Sequence, residues 1–198
     1  MKKLLGFSIF LVFVLIASLT AEAKVTLPAI FSDNMVLQQN TQVNVWGKAA
    51  PGEKVTVKAS WLDKPVTAKA AANGKWTVKL KTPKATTNQS VTVSGENEIT
   101  INNVLIGEVW LCTGQSNMEF PVSRHPDVKW NTGMLNEAEE LKDADYPEIR
   151  LFHVKHQLAH EGELDDCEGE WLVCNPKNLY DFSAVGFVFG RKLYKELK

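Results

Sequence analysis

Ser116 stands in the run Leu111-Cys112-Thr113-Gly114-Gln115-Ser116-Asn117-Met118, directly after a nearly continuous apolar stretch at 104–112. Such a stretch reads as a strand buried on both faces, and α/β folds place their ligands at the carboxyl ends of such strands. Gly114 lets the chain turn sharply, and the amides that follow can face a developing oxyanion. The chemistry open to this serine is acyl transfer, with its hydroxyl activated by a histidine from elsewhere. The other reading of the same residues is a turn serine that only satisfies its neighbours. The Gly-x-Ser-x-Gly elbow is not met, because Met118 occupies the place of its second glycine.

A serine nucleophile needs a base, and the chain has four histidines: His125, His153, His156 and His160. The residues three positions before them are Val122, Arg150, His153 and Gln157, so no Asp-x-x-His occurs. His125 follows Ser116 by nine residues, between Arg124 and Pro126, and reads as a loop or substrate-binding residue. The other three histidines are closely spaced, but His153 belongs to an apparent strand, and Glu161, Asp165 and Asp166 lack ligand spacing. They read as structural residues, and no metal or cofactor is expected. Cys167 and Cys174 are close enough in sequence to pair in an oxidising compartment. Cys112, within the apolar run, reads as a small core residue.

The elements that must position these groups fall into three parts. Lys2 and Lys3, the apolar run at 4–19 and Ala21-Glu22-Ala23 form a secretory signal peptide over residues 1–23. The mature chain is therefore expected to start at Lys24, to be exported, and to keep no stable membrane anchor. Residues 24–103 read as an all-β sandwich. Strict alternation marks strands at 42–46, 54–58, 75–80 and 90–93, and Asn73-Gly74 is a strong hairpin dipeptide. Residues 104–198 interleave apparent strands at 104–112 and 149–154 with helices at 135–141 and 184–197, the pattern of an α/β layer. Ser183 is placed to cap the last helix. With 22 Lys+Arg against 23 Asp+Glu, there is no basic stripe for a nucleic-acid partner. The six tryptophans lie mostly in strands, so core packing competes with sugar stacking.

Four ordered blocks carry a resemblance. They are Phe31-Ser32-Asp33-Asn34-Met35-Val36-Leu37-Gln38, Gly74-Lys75-Trp76, Gly107-Glu108-Val109-Trp110 leading into the Ser116 segment, and Phe182-Ser183-Ala184-Val185-Gly186. Together they resemble the sialate O-acetylesterases, within the broader SGNH (GDSL-like) hydrolases. The resemblance implies a β-sandwich followed by a flavodoxin-like SGNH domain, and an acetylated sugar, principally sialic acid, as substrate. It implies Ser116 as nucleophile with its own backbone N–H as an oxyanion donor. Gly114, Gln115 and Asn117 would line the oxyanion pocket or hold the turn. The family's late Asp-x-x-His block and its Gly-Gly-Thr segment are absent, and no Gly-Gly dipeptide occurs. The chain therefore reads as the N-terminal portion of a longer esterase, its α/β domain incomplete and without a catalytic histidine. An acetylxylan-type esterase and a noncatalytic carbohydrate-binding protein are the alternative functions.

Overall fold

The structure, a computed structural model, describes residues 24–124, 133–160 and 162–197. The signal peptide expected at 1–23 and His125 lie outside the described residues. Seven strands build the first half: β1 (Val36–Gln38), β2 (Gln42–Lys48), β3 (Lys54–Ala59), β4 (Val66–Lys69), β5 (Lys75–Lys81), β6 (Thr86–Ser94) and β7 (Glu98–Gly107). They form a five-stranded mixed sheet, ordered β1-β7-β6-β3-β4, and a two-stranded sheet of β2 and β5. The β1–β7 pair is parallel, and the other pairs are antiparallel.

Alternation explains why these residues pack as they do. A period of two sends every second side chain to one face. Val45, Trp76, Val78 and Leu80 of the smaller sheet thus meet Val55, Val57, Val91, Val93 and Ile101 of the larger one in a single core. Gly47 is needed at a close approach within that core. A Cβ there would lie 2.2 Å from the carbonyl oxygen of Thr26 and 2.9 Å from the Trp76 ring. Gly47→Ala is expected to destabilise the protein by about 2 kcal/mol, the ordinary cost of overpacking. A urea titration that leaves the unfolding midpoint unmoved would contradict this packing.

Two expectations are corrected here. Asn73-Gly74 does make a turn, with Gly74 at φ +76° and the Asn73 side chain accepting from the Lys75 N–H at 3.1 Å. It is not a hairpin, because β4 pairs with β3 and β5 with β2, so the turn carries the chain between sheets. The apolar run at 104–112 is likewise not one buried strand opening the second half. Val104, Leu105 and Ile106 are buried as the end of β7, held between β1 and β6. The pairing with β1 stops at Gln38 opposite Gly107. Beyond it Trp110 and Leu111 are 58% and 86% exposed, and Cys112 is exposed rather than a core residue.

The second half holds α1 (Ser116–Glu119), α2 (Glu137–Lys142), β8 (Tyr146–Phe152), β9 (Trp171–Cys174), α3 (Pro176–Leu179) and α4 (Ala184–Leu197). The strands β8 and β9 pair antiparallel, with Leu151 opposite Leu172. Among the described residues this is the half's one sheet, so these elements do not display the flavodoxin-like layering expected of it. Val122, Leu151, Cys174, Leu179 and Phe187 form its core. The Ser183 cap is as expected: its hydroxyl accepts from the Gly186 N–H at 3.1 Å at the start of α4. The cysteines do not pair. Cys174 points into the core from the end of β9, where burial pushes its thiol up to about 11. Cys167 stays on the loop before that strand.

A largely buried charged pair ties two helices of this half together. Glu140 of α2 is 8% exposed and meets Arg191 of α4 through both carboxylate oxygens, one contact being 3.0 Å from Nη2 to Oε1. The guanidinium also lies 4.8 Å above the Phe187 ring. The halves touch through Trp171, whose indole N–H donates to the Ile30 carbonyl at 2.8 Å. Asp166 adds a bond from the Ala29 N–H at 3.0 Å.

Candidate active site

Ser116 is the first residue of α1, and it is exposed. Residues 108–115 before it form no helix or strand, so the serine follows an open segment rather than the tip of a strand. Gln115 occupies the cap position, and its carbonyl accepts from the N–H groups of Met118 at 2.9 Å and Glu119 at 3.2 Å. The first amides of a helix have no partner within it. Accordingly, among the described residues the N–H groups of Ser116 and Asn117 donate to no backbone acceptor. Gly114 is where the chain approaches this turn closely. A Cβ there would come 3.0 Å from the Cβ of Met118.

The turn is tied to the start of α4. Ser183 donates its hydroxyl to the Met118 sulfur at 3.5 Å while capping the helix. The Phe120 carbonyl accepts from the Ala184 N–H at 2.8 Å, and the Val122 N–H donates to the Phe182 carbonyl at 3.0 Å. Met118, the departure from the elbow pattern, therefore serves as the anchor that fixes the serine-bearing turn. Nearby, Trp110 makes a T-shaped contact with Phe189 of α4 at 5.3 Å.

The structure brings Gly114, Gln115, Ser116 and Asn117 together on one exposed turn, and among the described residues it brings no base to the serine. Among the described residues, no side chain hydrogen-bonds with the Ser116 hydroxyl. His153 lies edge-on to Phe182 with ring centroids 6.4 Å apart, and His160 is exposed. His156 does reach α1, with Nε2 3.1 Å from Oε1 of Glu119, although its side chain is 83% exposed. No spacing in the sequence announces that contact, because the two residues belong to separate segments. Among the described residues, no group of three or more His, Cys, Asp or Glu side chains is placed to hold a metal ion. No helix among them is long and apolar enough to cross a membrane.

No protein-family model matches the chain. It is 33% identical over 190 residues to the sialate O-acetylesterase of Mus musculus, covering 86% of this chain and 33% of that protein. The human sialate O-acetylesterase is 31% identical over 186 residues, with 84% of this chain and 34% of that protein covered. In three dimensions the chain is similar to the crystal structure of a carbohydrate acetylesterase from Xanthomonas citri, with a TM-score of 0.76 and 31% identity. That match covers 87% of this chain and 38% of the other. The chain spans about a third of the length of the curated relatives it matches. Over most of its own length, then, and about a third of theirs, this chain is related to the sialate O-acetylesterases.

Proposed function

We propose that the chain is the nucleophile-bearing portion of an exported carbohydrate O-acetylesterase, acting on O-acetylated sialic acids. The observation that carries this reading is Ser116, exposed on a turn where, among the described residues, its own N–H and that of Asn117 meet no backbone acceptor, in a chain related to acetylesterases. The Ser116 oxygen attacks the acetyl carbonyl, and its proton passes to a histidine. The Ser116 N–H, with groups at Gly114 or Asn117, steadies the oxyanion. The sugar alcohol leaves with that proton, and water then releases acetate and restores the serine. The residues around Ser116 supply the nucleophile and part of the oxyanion hole. The base is assigned to an Asp-x-x-His block elsewhere in the reading frame, in an SGNH domain of which 104–198 is the first part.

The test is acetate release by the protein encoded by the whole reading frame, compared with residues 24–198 alone. The complete protein is expected to cleave O-acetylated sialic acid faster than acetylated xylan, while residues 24–198 show no appreciable turnover. Preference for xylan would move the substrate to the plant-polymer class. Robust turnover by residues 24–198 would place the base within this chain. Export predicts that the secreted protein begins at Lys24, and N-terminal sequencing that finds Met1 would contradict it.

A further inference from the structure

The outward face of the two-stranded sheet carries a pattern that core packing does not explain. Asn44 stands opposite Lys79, Trp46 opposite Thr77 and Lys48 opposite Lys75, with Lys81 two residues beyond Lys79 on the same face. All are exposed, and Trp46 keeps 38% of its surface in solvent. Like charges directly opposite one another destabilise a sheet. At one end of the face a carboxylate offsets this: Asp165 lies 2.7 Å from the Lys75 ammonium and 3.5 Å from that of Lys48. Among the described residues, no carboxylate does the same for Lys79 or Lys81.

We infer that this face docks sialic-acid-bearing glycan, separately from the site at Ser116. Lysines alone would also serve to guard a sheet edge. Trp46 would not, since an exposed indole invites association rather than preventing it. Its ring is held in place by a T-shaped contact with buried Phe31, centroids 4.6 Å apart, so it offers a fixed apolar platform for the C–H face of a sugar. The Asn44 amide, one pleat away, has both a donor and an acceptor for sugar hydroxyls. Lys79 and Lys81 supply positive charge for the sugar carboxylate, as Lys48 and Lys75 already do for Asp165. The choice of sialic acid among carboxylate-bearing ligands rests on the proposed function. The face itself does not depend on it.

The experiment is affinity electrophoresis of the protein through gels containing a soluble sialic acid polymer, dextran, or single-stranded DNA. Retardation is expected in the sialic acid gel alone, weakening as salt is raised. Trp46→Ala should lower the affinity about tenfold, the scale of one aromatic contact. Lys79→Glu combined with Lys81→Glu should lower it at least as much, and it leaves the core untouched. No retardation by the sialic acid polymer would overturn the inference. Equal retardation by DNA, or binding indifferent to both variants, would also overturn it. The readout needs no acetate release, so retardation of a complete protein that releases no acetate would sink the proposed function while leaving this face intact.

Discussion

Replacing Ser116 by alanine in the complete protein is expected to cut acetate release by about 10⁴-fold or more, the scale of losing a triad nucleophile. Folding should be almost unaffected. The hydroxyl is exposed, and among the described residues it has no hydrogen-bond partner, so its removal strands no buried group. Surface changes of that kind stay within about 0.5 kcal/mol. Alanine is also a good residue for a helical turn. Activity and stability should therefore separate cleanly in this one variant. Retention of a tenth of the wild-type rate would remove the nucleophile assignment.

The second large effect is structural and concerns Glu140 and Arg191. Removing one member of a buried pair leaves the other desolvated and unpaired, which costs more than the pair contributes. The Arg191 side chain is 19% exposed and that of Glu140 10%, so water relieves part of that penalty. Arg191→Ala is expected to destabilise the second half by about 2–3 kcal/mol. The pH dependence follows from the carboxylate. Hydrogen bonding by the Arg191 guanidinium outweighs desolvation and holds the Glu140 carboxyl below its ordinary value of 4.5. Between the two values the unfolded chain binds more protons than the folded one, so stability falls as pH falls. The contribution is complete above the unfolded value and is lost as pH drops through the lowered folded value. Glu140→Gln lacks this dependence. Its stability deficit in urea titrations should shrink between pH 7 and pH 3, and a deficit unchanged across that range would refute the carboxylate's role.

What could be read without coordinates divides along local and distant contacts. The strands β2, β3, β5 and β6 follow from alternation, because a half-buried strand imposes period two on its own residues. The short β1 and β4 cannot be recognised this way, since three and four residues carry too little pattern. The run at 104–112 is ambiguous for a definable reason. Continuous apolarity marks burial but not the place where a partner strand ends, and β1 ends opposite Gly107. The Ser183 cap and the Ser116 turn were legible because each depends on residues within one helical turn. The sulfur contact from Ser183 to Met118 spans 65 residues and left no trace in the local pattern. Cys167 and Cys174, near in sequence, remain apart in chemistry because one sits on a loop and the other faces the core.

With Ser116 as nucleophile, its oxygen carries the acetyl group during the reaction. Rapid mixing of the complete protein with O-acetylated sialic acid, acid quenching and peptide mass spectrometry would test it most directly. An acetyl group is expected on the peptide containing Ser116, formed within one turnover and absent in Ser116→Ala. Full-rate acetate release with no acetylated intermediate, or with the acetyl group on another residue, would contradict it.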